Sequence, residues 1–158
     1  MAADPVEMLS AFLDFQRATL LWKTSGLTEE QLRRAMTDSG VSLLGMVKHC
    51  AYVERWWFQI IFAGRDVRAG WTKEDFGADW RIEPEDTGAD IFALYERECA
   101  VSREIVAGAS WQTVAAKAAP RESGHTLGWV LSHMLGGIYQ HVGQADILRE
   151  RIDGSTGE

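Results

Sequence analysis

Four long stretches of the chain repeat their apolar residues near the 3.6-residue period of an α-helix, and no stretch alternates with the clear two-residue period of a strand. From Val6 to Trp22 the positions Met8, Leu9, Phe12, Leu13, Leu20 and Leu21 recur at that spacing, behind a proline, Pro5, suited to a first helical turn. Gly26 stops this helix, and Thr28-Glu29-Glu30-Gln31 reads as a capping box that opens a short helix to about Met36. The turn residues Thr37-Asp38-Ser39-Gly40 follow. Ser42 then caps a second long helix running to about Phe62, with a stripe of Met46, His49, Val53, Trp56 and Ile60 and with Cys50, Trp57 and Ile61 alongside.

Gly64 ends that helix. Residues 65–87 carry Gly70, Gly77, Pro84, two Trp and many charges without a period, which predicts a long connection. Such a crossover is expected where two helices of a bundle run parallel and the chain must return along the bundle's height. Thr87 or Asp90 opens a third long helix to Gly108, with Ile91, Leu94, Tyr95, Cys99, Ser102 and Ile105 on one face. After a looser segment, 109–124, containing Pro120 and Gly124, a fourth long helix runs from about Thr126 to Ile152 and stops at Asp153-Gly154. Trp129, His133, Ile138, Val142, Ala145 and Leu148 mark its expected buried side. The predicted architecture is all-α: four long helices with one or more extended crossings, forming a single domain over residues 1–158.

Composition narrows the function. A formal charge of −7, without a Lys/Arg-rich run, offers no attraction to a phosphate backbone, so nucleic acid is not an expected partner. The longest apolar stretches are broken by Lys48, Glu54 and Arg55, so no membrane span is expected, and the early Asp4, Pro5 and Glu7 do not read as a signal segment. The expected compartment is the cytoplasm. Cys50 and Cys99 show no CxxC spacing and read as reduced core thiols. Seven Trp is a heavy load for 158 residues, and some of them are expected at a pocket or an interface.

Three of the four histidines, His49, His133 and His141, fall in predicted long helices, where inward-facing side chains of a bundle build metal sites. The ordinary reading of each is a hydrogen-bonded core or rim residue. His133 and His141 lie eight residues apart, ~12 Å along a helix and about 80° around it, and so are poorly placed to share an ion. A residue at position 137 would sit one turn from His141, ~6 Å away on nearly the same face, but that residue is Gly137. The Gly136-Gly137 pair costs about 1–2 kcal/mol relative to two alanines in mid-helix. Close approach of another backbone or a Trp ring would explain it, as would room for a ligand or a bend. His125, beside Gly124 at a helix start, reads as solvent-exposed or capping and without a role.

The run Ser39-Gly40-Val41-Ser42-Leu43-Leu44-Gly45-Met46-Val47-Lys48-His49, continued by Val53-Glu54-Arg55-Trp56-Trp57-Phe58, resembles the second-helix signature of the actinobacterial mini-circle branch of the DinB-like superfamily. His133-Met134, then His141-Val142-Gly143-Gln144-Ala145-Asp146-Ile147-Leu148-Arg149-Glu150 with Ile152-Asp153-Gly154, resembles its final-helix signature. The resemblance implies a four-helix bundle holding a divalent metal, often zinc or nickel, on three side chains. His49 and His141 match two of them. The third lies four residues before the final-motif histidine and is Glu or His in metal-binding relatives, where this chain has Gly137; Gln144 stands where close relatives often carry another histidine.

Relatives with the intact triad include thiol S-transferases and a maleylpyruvate isomerase that use mycothiol, bacillithiol or glutathione. The resemblance therefore implies a low-molecular-weight thiol or its conjugate as ligand, and a homodimer. Three readings stay open: a degenerate metal site on His49 and His141 serving thiol transfer, a metal-free small-molecule-binding or stress-associated dimer, and two histidines bonded within a packed core.

Overall fold

The long helices all start on side-chain caps that the sequence supplies. In the computed structural model, which describes residues 4–119 and 124–157, these are α1 (Pro5–Thr24), α3 (Leu43–Glu54), α4 (Gly88–Ala107) and α5 (Leu127–Asp153), with a short α2 (Glu29–Arg33) between the first two. Asp4 accepts from the Val6 amide at 2.7 Å, Ser42 from Gly45, Thr87 from Asp90 and Thr126 from Trp129. Each satisfies an amide that the first helical turn leaves unbonded. The capping box at α2 closes in both directions, between Thr28 and Gln31. That helix ends at Arg33, short of Met36, because the Met36 amide already bonds the Val41 carbonyl across the following turn. Gly154, at φ 81°, ends α5 in the left-handed conformation that glycine adopts without strain. Among the described residues no strand forms.

Cross-helix contacts give the directions. Lys48 reaches Asp86 just before α4, and Arg55 reaches Glu98 in mid-α4, so α3 and α4 run parallel. Lys23 of α1 pairs with Asp146 of α5, and the Arg149 guanidinium donates to the carbonyls of Lys23 and Ser25 at 3.0 and 2.8 Å, so the ends of α1 and α5 coincide. Early α3 meets late α5 (His49 with His141), and late α3 meets early α5 (Trp57 with His133), so these two are antiparallel. The parallel α3–α4 pair is the arrangement that requires a crossover as long as residues 63–87. Pro120, in the α4–α5 connection, lies outside the described residues.

The second long helix is not α-helical throughout. Beyond Glu54 it widens into a π-helical segment, Arg55–Phe62, where the Ala63 amide bonds the Phe58 carbonyl five residues back. The wider turn spreads three consecutive large rings: Phe58 enters the core, Trp57 turns to α5 and Trp56 stacks toward Trp71. The core face of this helix keeps Met46, Cys50, Ile60 and Ile61 of the expected stripe but turns further toward Val47, Ala51 and Glu54. Val47, Cys50, Ala51, Glu54 and Phe58 are buried, whereas His49, Val53, Trp56 and Trp57 are only partly so. On α5 the expected Ile138, Val142, Ala145 and Leu148 are buried, joined by Leu127, Val130, Leu131 and Met134, whereas Trp129 and His133 are exposed on the flank.

Among the buried charges, two pair with each other across α1 and α3. Arg17 and Glu54 are 4% and 2% exposed and joined by two bonds of 2.8 and 2.6 Å, with Asp14 accepting a third from the guanidinium. Removing one partner of such a pair strands the other in low dielectric. Arg17→Met should therefore lower unfolding free energy by about 3–5 kcal/mol, and Arg17→Met combined with Glu54→Leu should recover most of it. Urea unfolding of the wild type and these two variants measures both.

Candidate functional site

Gly45, in the first turn of α3, is where the crossover lands. A Cβ there would collide with the backbone carbonyl oxygen of Trp80, so only glycine admits this approach. Lys48, one turn on, clamps the same segment by donating to the Arg81 carbonyl at 2.8 Å and to Asp86 at 2.7 Å. Asp79 and Trp80 are thereby delivered onto His49. The Asp79 Oδ2 lies 2.6 Å from His49 Nδ1, and the Trp80 ring stacks on the imidazole at 4.0 Å and 17°.

Asp79 is 2% exposed, and its Oδ1 accepts no hydrogen bond from the described residues. With the Asp79 carboxylate as acceptor, a neutral His49 donates from Nδ1 and carries its lone pair on Nε2. His141 is set in the same sense. Its Nδ1 donates to the Gln144 side-chain oxygen at 2.9 Å, which leaves Nε2 as the basic nitrogen. The two imidazoles stand edge to face with centroids 5.1 Å apart, and Trp80 lies 5.5 Å from His141. Burial holds the His141 imidazole below its ordinary 6.5; the bond to Gln144 opposes this shift, and neighbouring His49 adds to it.

The glycine pair is not explained by close packing. A Cβ at Gly136 or Gly137 would meet nothing within 4 Å, so neither a backbone nor a Trp ring occupies that space. Beside Gly137 lies a cavity of about 40 Å³, walled by Cys50, Val53, Glu54, His133, Met134, Ile138 and His141. It holds a few water-sized groups. His141 belongs to its wall and His49 does not. Burial pushes the Cys50 thiol far above its ordinary range, with Glu54 adding to the effect, so this wall sulfur stays protonated.

His133 touches that cavity wall, but its ring, like that of His125, packs in a separate aromatic cluster. Trp129 is sandwiched between them, at 3.8 Å from His125 and 4.9 Å from His133, and Trp57 closes on His133 at 4.5 Å. His125 is buried beneath these rings rather than solvent-exposed as expected. His133 stays with this stack.

Fold and site together define a DinB-like helical bundle with two facing imidazoles between its second and last long helices. The chain belongs to the mycothiol S-transferase family of that superfamily: the family model described as Mycothiol-S-transferase matches residues 8–154. No curated protein matches it.

The donor set falls short of the three-ligand centre that the resemblance implies. Among the described residues no group of three or more His, Cys, Asp or Glu is placed to hold an ion. The one carboxylate in the cavity wall, Glu54, already accepts from Arg17 on both oxygens. Zinc centres normally take at least three protein ligands, so these residues do not fit a resident three-ligand metal. Asp79 and Trp80 carried no signal in the sequence, since they lie in an aperiodic crossover and meet His49 only through the contact at Gly45.

Two measurements bear on this geometry. Nitrogen-15 spectra should show His49 as a single Nδ1–H tautomer that becomes mixed in Asp79→Leu; an unchanged spectrum would remove Asp79 as the orienting group. For His141 the folded pKa lies below the unfolded one, so the unfolded chain binds the proton first. The stability contributed by the neutral ring is complete above about pH 6.5 and is lost as pH falls through the folded pKa. His141→Gln should flatten that part of the urea-midpoint profile.

Proposed function

We propose that this member of the mycothiol S-transferase family binds a low-molecular-weight thiol at the His49–His141 face and activates it by proton transfer, without a resident three-ligand metal. The observation that carries this reading is the 2.6 Å bond from His49 to buried Asp79, which leaves a basic Nε2 beside a second imidazole. The family description supplies the thiol class.

The S–H bond breaks toward His49 Nε2, the electron pair stays on sulfur, and the thiolate attacks an electrophilic acceptor whose leaving group departs with its own pair. Between a free thiol and a free imidazole in water, this proton transfer is uphill by about 2.7 kcal/mol. A charge-assisted bond from the imidazolium to a carboxylate contributes about 1.5–3 kcal/mol, enough to make the transfer accessible. Gly137 leaves room at the cavity mouth for the thiol-bearing end. The reading places the protein in the cytoplasm, where such thiols are kept reduced. No described helix is long and apolar enough to cross a membrane.

A second reading rests on the 5.1 Å separation of the rings: a zinc or nickel ion held by the two imidazoles, its shell completed by water or by the ligand. One experiment separates them. Metal-depleted protein should bind mycothiol in calorimetry and accelerate its conjugation to an alkylating fluorophore, and His49→Ala should abolish the acceleration. Depleted protein that is inert until zinc or nickel is returned would establish the second reading, and binding without acceleration would make the protein a non-catalytic thiol binder.

Gly137→Glu returns a third donor to the position one turn from His141. If α3 and α5 are set as in metal-binding relatives, zinc affinity should tighten about tenfold or more by calorimetry, equivalent to about 1.4 kcal/mol.

A further inference from the structure

The bundle has two closely packed seams and two looser ones. α1 packs chiefly on α5 and α3 on α4, whereas α3 meets α5, and α1 meets α4, more sparsely. The thiol cavity lies in the α3–α5 seam. In the opposite seam, between α1 and the carboxyl end of α4, the described residues line a pocket of about 670 Å³, a volume within the range of small-molecule sites. Buried Leu13 and Val106 give it an apolar base, Trp111 lines it from the α4–α5 connection, and Ser10, Arg17 and Arg103 bring polar groups to its wall.

This wall holds more hydrogen-bond donors than acceptors to receive them. Arg103 donates from Nε to Asp14, which leaves the two terminal nitrogens of its guanidinium without a partner among the described residues. Ser10 Oγ is shielded from solvent and has no hydrogen-bond partner, a state in which a hydroxyl is rarely left. The nearby acceptors are already committed. Asp4 caps α1 through the Val6 and Glu7 amides, and Asp14 Oδ1 bridges Arg17 and Arg103 at 2.8 and 2.9 Å. A ligand that satisfies the wall must therefore bring acceptor oxygens of its own.

We propose that the α1–α4 pocket binds a small monocarboxylate with an apolar body, its carboxylate on Arg103 and Ser10 and its body against Leu13, Val106 and Trp111. A guanidinium fork matches the two oxygens of a carboxylate. The charge balance selects one negative charge rather than two, because Asp4 and Glu7 stand in the same wall and repel a dianion such as phosphate more strongly. The apolar base rewards a hydrocarbon tail or ring, which an inorganic anion lacks. This site does not rest on the thiol reading. Neither His49 nor His141 lines it, and the two chambers are joined through the core by Arg17, which lines one, and Glu54, which lines the other.

Octanoate is the probe. Titrated into the full chain, it should bind with a dissociation constant of about 1 mM or tighter. It should move the Trp111 indole resonance, assigned with Trp111→Phe, and leave that of Trp80 in place. Octanamide, its neutral isostere, and inorganic phosphate should each bind about tenfold more weakly or worse. Arg103→Gln, at a side chain 50% exposed, should weaken octanoate about tenfold with the helical circular dichroism unchanged. The octanamide comparison is made on the wild-type chain and so decides the matter even where Arg103→Gln fails to fold. His49→Ala should bind octanoate as the wild type does, so failure of the thiol reading leaves this site standing. No saturable binding, equal binding of the amide, a folded Arg103→Gln chain with undiminished affinity, or a shift at Trp80 in place of Trp111 would overturn the site.

Discussion

The close approach of the crossover to α3 at Gly45 is the contact on which the site depends. Because α3 and α4 run parallel, the chain must travel the height of the bundle between them, and that return passes over the start of α3. A glycine where the Trp80 carbonyl arrives, and a lysine one turn later to hold the Arg81 carbonyl, fix its path. The functional geometry follows from that path: a buried carboxylate on one nitrogen of His49 and an indole on its face. A bundle with the same helices and a looser crossover would still place His49 near His141, but nothing would select the tautomer.

The core shows a second constraint. Glu54 stands in the cavity wall close to Gly137 and His141, where a free carboxylate would be the obvious third donor or a rival base. Arg17 from α1 holds both of its oxygens, and the guanidinium is itself tied to Asp14. Glu54 is thus part of the bundle's internal scaffold, and Asp79 is the carboxylate bonded to an imidazole at the site. Two acids of the same chemistry are assigned different work by their partners alone.

Much of the fold was legible because caps and periodicity are local. Thr28, Ser42, Thr87 and the Asp153-Gly154 stop carry their meaning in a few neighbouring residues, and the aperiodic composition of 65–87 marked the crossover. What could not be read depends on choices between faces. On α1 two apolar stripes coexist, one through Leu13 and Leu20 that enters the core and one through Met8, Phe12 and Phe15 that does not, and a periodicity count merges them. On α3 the π-helical turn resets the register after Glu54, which turns Trp56 and Trp57 off the core face. On α5 the Trp129 and His133 rings stack along the exposed flank with His125 beneath them, so their place in the helical stripe did not mean burial. The positions of His49 and His141 were readable from the helices. Their hydrogen-bond partners were not, since Asp79 is thirty residues from His49 in sequence and has no periodic setting.

The adjacent glycines of α5 make sense only when both edges of that helix are considered. Neither is packed against anything, so the helix bears their conformational cost of about 1–2 kcal/mol without a compensating contact at either residue. Successive helical residues point about 100° apart, so Gly137 opens toward α3 and the cavity while Gly136 turns toward the outer edge beside α1. A side chain at 137 would extend into the space beside His141, and one at 136 would stand up from the level surface next to Tyr139. The helix keeps its position through other bonds, from Asp146 to Lys23 and from Arg149 to the end of α1. Strong anchoring at the carboxyl end lets the middle of α5 go without side chains, and the proposed thiol cleft uses the α3-facing side of that gap.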